Sequence, residues 1–145
     1  MLVNVFFSEP VAAAQKPTVA ALKKTVLAAL GLFAAHKGEV NLVFVDNAEI
    51  TRLNKKFLGK NRATDVIAFS YRSAAGVKEP PFGDIYVSVT QAAAQAAELG
   101  HSQKTELFML AAHGALHLAG YDDATTDERT AMNGVAEKII RRFTK

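Results

Sequence analysis

The chain has 145 residues, half of them hydrophobic, which is enough for one sizeable core and too little for two well-buried ones. Its 17 Lys and Arg against 14 Asp and Glu leave a net charge of +3, a mild basic excess that suits a polyanion partner without demanding one. The absence of cysteine excludes disulfides and thiolate metal sites and fits a cytoplasmic protein best.

Val3, Val5 and Phe7 alternate with other residues in LVNVFF, which predicts a first strand rather than a signal peptide. Pro17 and Thr18 introduce an Ala/Leu/Lys-rich run expected to be helical to about His36, with Gly38 as its C-terminal cap. This run is the most apolar in the chain, but Lys23 and Lys24 interrupt it, so no membrane span is expected. Glu39 to Asp46 is rich in β-branched residues and reads as a strand. Asp46 or Asn47 then caps a short helix through about Phe57, ending near Gly59. Thr64 to Tyr71 reads as a third strand, the Gly/Pro-bearing RSAAGVKEPPFG as a loop, and DIYVSV as a fourth strand. TQAAAQAAELG predicts a helix stopped at Gly100, Ser102 caps the next, and a last helix runs to about Phe143. The order β-α-β-α-β-β-α-α-α predicts one α+β domain over residues 1–145, with a small mixed four-stranded sheet and about five helices packed on it. Basic residues gather at Lys55, Lys56, Lys60 and Arg62, with Arg72, Lys78, Arg141, Arg142 and Lys145 elsewhere. Any one such cluster is most simply solvated surface.

The chemistry concentrates in AAHGALHLAGYDD, Ala111 to Asp123. The helix around it is apolar nearly all round and so is expected to be buried. His113 and His117 are four apart, on one face, a spacing suited to one metal ion. Gly120 permits a turn that brings Asp122 or Asp123 back beside them. A buried His is more often a hydrogen-bonded core residue than a ligand, and an Asp after a helix is more often the next helix's cap. Here Thr125 and Glu128 already form a capping box, so neither aspartate is needed as a cap. Two imidazoles, a carboxylate and an open position are what a catalytic zinc uses, and they also suit iron, cobalt or manganese. The spacing H-x3-H-x2-G-x2-D is similar to the metzincin metal helix, with Gly114 in place of the catalytic Glu and Asp123 in place of the third His. Loss of the Glu argues against a peptidase.

HGALHLAGYDD resembles the H-G-x-L-H-L-x-G-Y-D-H signature of the YbeY family of bacterial endoribonucleases. ATDVIAFSY and FGDIYVS resemble that family's P-T-D-V-L-S-F and L-G-D-I-x-I-S segments, and LNKKF, LGHS and Met132 fall in the expected order. The resemblance implies a hydrolase with one metal ion, zinc or another divalent transition metal, acting on ribosomal RNA. The family matures the 3′ end of the small-subunit RNA and takes part in ribosome quality control. It also implies that His113, His117 and Asp123 are the metal ligands, Asp123 standing where the family usually has His. The family's Arg, suited to gripping phosphate, falls at Leu58 here, so Lys60 or Arg62 in the same loop is the expected substitute for RNA contact, with Arg62 in the catalytic role. Asp65 and Asp84 match family segments, with turn and loop hydrogen bonding as their simplest roles. The rival reading is a non-catalytic ribosome-assembly or RNA-binding factor with a structural metal.

Overall fold

The computed structural model describes residues 1–35, 37–71 and 82–143. Along them run β1 (Leu2–Phe7), α1 (Val19–Leu30), β2 (Glu39–Val45), α2 (Asn47–Leu58), β3 (Val66–Ser70), β4 (Gly83–Ser88), α3 (Val89–Leu99), α4 (Gln103–Leu118) and α5 (Thr126–Phe143). The sheet order is β1-β2-β4-β3, with β1, β2 and β4 parallel and β3 antiparallel to β4. This is the expected α+β arrangement with its small mixed sheet. The RSAAGVKEPPFG loop up to residue 81, together with Arg72, Lys78, His36 and Lys145, lies outside the described residues.

The caps explain most boundaries. Asp46 Oδ1 accepts from Glu49 N at 2.8 Å and starts α2, which Gly59 ends in the left-handed region at φ 72°. Ser88 Oγ accepts from Gln91 N to start α3, and Ser102 Oγ accepts from Thr105 N to start α4, both at 3.1 Å. Thr125 and Glu128 exchange the reciprocal bonds of a capping box, each 3.1 Å, at the start of α5.

One boundary differs from the sequence expectation. The first helix ends at Leu30, not near His36, and its cap is Gly31 at φ 58°, not Gly38. Ala and Leu propensity would carry the helix on, but Gly31 takes a positive φ and the chain tightens into a 3-10 turn over Gly31–Ala35. By length and composition Ala13–Ala35 is apolar enough to cross a membrane. It is three pieces, however, and its only α-helical part, α1, has 12 residues. At 1.5 Å per residue that is about 18 Å, well short of the ~30 Å hydrocarbon layer. The last two strands are also slightly displaced: β3 is shorter than Thr64–Tyr71, and β4 begins at Gly83 and yields Val89 to α3.

The two faces of the sheet are unequal. Val40, Leu42 and Phe44 of β2, with Ile85 and Val87 of β4, face a large core closed by α1, α4 and α5. The other face carries a small cluster of Val45, Ile50, Leu53 and Ile67 under α2. A polar ladder crosses that second face: Asn4 Nδ2 donates to Asn41 Oδ1, and Asn41 Nδ2 to Asp84 Oδ1, each at 3.0 Å. Tyr71 Oη completes it by donating to Asp84 Oδ2 at 3.2 Å. Asp84 is therefore a structural hydrogen-bond acceptor of the sheet.

Helix α4 is the central element. Leu107, Phe108, Leu110, Ala111, Ala115, Leu116 and Leu118 are all buried, which accounts for its apolar composition on every side. It approaches the sheet at Gly114, where an added Cβ would collide with Ile85 Cγ2 and lie 3.3 Å from Val66 Cγ2. Gly114→Ala should therefore destabilise the protein by roughly 1–3 kcal/mol through overpacking, against the ~1 kcal/mol that Ala normally gains over Gly inside a helix. The denaturant midpoint checks this; a midpoint at or above wild type would mean the contact is slack.

Candidate metal and nucleic-acid site

Position along α4 decides which side chains can do chemistry. Gly114 faces the sheet, so His113 and His117 fall on the flank of the helix, where α4, β3 and α5 meet. There they line a cleft of about 180 Å³ with Asp65, Asp123, Arg129 and Asn133. The turn after α4 follows the predicted route: Gly120 takes φ 102° and Tyr121 N bonds back to Leu116 O at 3.0 Å.

That turn fixes His117. Its Nδ1 lies 3.2 Å from Tyr121 O, an acceptor only, so Nδ1 carries the proton and donates. Nε2 then faces Asp123 Oδ2 at 3.4 Å. A neutral imidazole nitrogen and a carboxylate oxygen present lone pairs to each other, an arrangement that only a shared cation or a proton on Nε2 satisfies. Two donors bound to one tetrahedral zinc at 2.0–2.1 Å would stand about 3.4 Å apart. Asp122 plays a different part. Its Oδ1 accepts from Asp123 N at 2.8 Å, and it does not line the cleft.

His113 is buried more deeply, and its Nε2 is a buried polar atom without a hydrogen-bond partner. Such an atom is costly unless something binds it. Burial pushes the His113 pKa below the ordinary histidine value, and a hydrogen bond with Asn133 and the nearby Asp65 carboxylate only partly oppose this. The shift favours the neutral ring, the form in which imidazole ligates a metal. These donors fit a metal of the zinc type. Among the described residues, no group of three or more His, Asp and Glu side chains stands placed to hold a metal ion without some rearrangement.

Asp65 sits on the opposite wall. Its Oδ1 accepts from Val66 N at 2.8 Å and its Oδ2 from Gln95 Nε2 at 3.2 Å, so the turn bonding read from sequence and a place in the cleft coexist. Beyond Asp65, His113 and Asn133 a neighbouring cavity of about 380 Å³ reaches the pair His101 Nε2–Glu106 Oε1, 3.0 Å apart. Burial raises the Glu106 pKa above the usual carboxylate value, with the His101 bond opposing it.

Lys60 and Arg62 are exposed on the loop after α2 and do not line the cleft. The Arg62 backbone is tied down by Asn54 Nδ2, which donates to Arg62 O at 2.9 Å. Leu58 is exposed and also lies off the cleft. Sequence reasoning missed Arg129 and Asn133. The available signal was helical spacing, since Arg129, Met132 and Asn133 stand at i, i+3 and i+4 on one face of α5, and all three line the cleft.

A family model described as Endoribonuclease YbeY matches residues 8–144. A protein named Endoribonuclease YbeY from Elusimicrobium minutum (strain Pei191) is 46% identical over 144 residues, covering 99% of this chain and 100% of its own length. Another of that name, from Geobacillus thermodenitrificans (strain NG80-2), is 42% identical over 113 residues, 72% of each chain. The solution structure of TM1509 from Thermotoga maritima superposes with a TM-score of 0.61 at 23% identity, over 99% of this chain and 92% of that one, a likeness of fold. A family match over nearly the whole length, joined to a relative 46% identical from end to end, means that this chain belongs to the YbeY family of endoribonucleases.

Proposed function

We propose that this protein is a cytoplasmic, metal-dependent endoribonuclease that cuts single-stranded segments of ribosomal RNA, with the 3′ end of the 16S RNA and ribosome quality control as its setting. His113, His117 and Asp123 are the proposed ligands of one zinc ion. The observation that carries the reading is one cleft holding the unpartnered Nε2 of His113 and the facing pair His117 Nε2–Asp123 Oδ2. The relatives named Endoribonuclease YbeY supply the reaction class.

When bound, the metal would supply Lewis-acid polarisation of a phosphoryl oxygen and a water of lowered pKa. The chain's own residues do the rest. The Tyr121 carbonyl holds His117 in one tautomer, as an outer-shell acceptor does for a ligating imidazole. Burial favours the neutral form of His113. Val66 N and Gln95 hold the Asp65 carboxylate at the wall of the cleft. Gly114 faces the sheet, so no side chain at that position reaches the cleft to act as a peptidase's general base. One set of facts favours the rival binding-factor reading: Leu58 offers no donor, and Lys60 and Arg62 stand off the cleft.

Zinc titration should separate the two aspartates. Asp123→Ala should weaken zinc binding at least ~10-fold, about 1.4 kcal/mol, while Asp122→Ala keeps it close to wild type. Loss in the Asp122 variant with retention in the Asp123 variant would make the ligand assignment wrong.

Metal removal should also be felt by the fold and the reaction. Saturation at ~100 Kd is worth about 2.7 kcal/mol, so chelation should lower the melting temperature by about 5–10 °C for a domain of this size. Cleavage of a structured RNA with single-stranded ends should stop on chelation and return with zinc. Cleavage that persists in protein shown metal-free by elemental analysis would sink the metal-dependent reading. Zinc binding without any cleavage would give the binding-factor reading instead.

A further inference from the structure

We infer that Arg129 grips a backbone phosphate of the bound RNA strand, an inference that rests on the endoribonuclease reading above. Arg129 supplies the one Lys or Arg side chain among the described residues lining the cleft. Two carboxylates, Asp65 and Asp123, line the same space, and left uncompensated they would repel a polyanion.

The guanidinium is positioned without being neutralised. Its Nη1 donates to the Asp123 backbone carbonyl and its Nη2 to Thr126 Oγ1, each at 3.2 Å. Both acceptors are uncharged, so they orient the planar group and leave its charge uncancelled. Among the described residues no carboxylate forms an ion pair with it, in contrast to Arg52 with Glu49 and Arg141 with Glu137. A guanidinium has five N–H donors in a rigid fork that matches phosphate oxygens. Two serve the protein, and the rest are left for a ligand. The same contact fastens Arg129 to the backbone of Asp123, so the phosphate grip and the carboxylate facing His117 are held in one frame. The plain alternative is that Arg129 only pins the turn between α4 and α5.

The test is the binding of a labelled single-stranded RNA to the intact, metal-loaded protein, read by fluorescence anisotropy over a salt series, with RNA integrity checked on a gel. The proteins are wild type, Arg129→Ala, Arg129→Lys and, as an equal loss of charge far along the chain, Lys24→Ala. Arg129→Ala should weaken binding about tenfold. It should also make the slope of log K against log salt shallower by about 0.7, one single-strand phosphate contact. Arg129→Lys should keep the wild-type slope and recover part of the affinity, and Lys24→Ala should leave both unchanged. If Arg129→Ala binds with the wild-type slope, Arg129 touches no phosphate, and any lowering of its melting temperature then marks a pin of the turn. If wild type shows no salt-dependent RNA binding, the endoribonuclease reading fails first and the phosphate grip goes with it.

Discussion

The close contact between α4 and the sheet at Gly114 is the constraint on which the cleft depends. A helix advances about 100° per residue, so fixing position 114 against Ile85 fixes every other direction around α4. His113 and His117 then stand about 100° and 60° round from the sheet-facing edge, on the flank that opens between β3 and α5. A larger side chain at 114 would lift or turn the helix, and both imidazoles would move with it. Small size at 114 thus sets the aim of two residues that it does not touch through any side-chain atom of its own.

The cleft is assembled from backbone as much as from side chains. The carbonyl of Tyr121 sets the tautomer of His117, the carbonyl of Asp123 orients Arg129, and the amide of Val66 steadies Asp65. Two of these backbone groups belong to the turn between α4 and α5, which Gly120 bends and the Thr125–Glu128 capping box closes. Polar groups in the cleft are therefore placed by elements whose own geometry is locally determined, which limits how far any one of them can drift.

Much of this was legible in the sequence. Caps have a short-range chemical signature, so Asp46, Ser102, Thr125 and the stops at Gly59 and Gly100 could be read one residue at a time. The pair His113–His117 was legible for the same reason, helical periodicity. The chain reversal that brings Asp123 back was legible from Gly120. Gly31 was misjudged because a glycine inside an Ala/Leu-rich run is compatible with either a helix or a stop, and only tertiary packing decides. Arg129 and Asn133 were missed because they reach the cleft across a helix–helix interface: helical spacing puts them on one face of α5 but does not say that this face borders the cleft. Asp65 and Asp84 looked alike in sequence, yet one lines the cleft and the other sits in a ladder with Asn41 and Tyr71.

The unequal faces of the sheet have a kinetic consequence. The large core locks α1, α4 and α5 together, whereas α2 is held by a cluster built around Val45, Ile50, Leu53 and Ile67. Free energies of local opening scale with the apolar contact that must be broken, so α2 and the segment after it form a softer cooperative unit than α4. Asp65 follows directly on that segment, while the two histidines ride on the most deeply buried helix. The cleft thus joins one wall anchored in the large core to one that borders the smaller cluster, and local opening is expected to reach the second wall first.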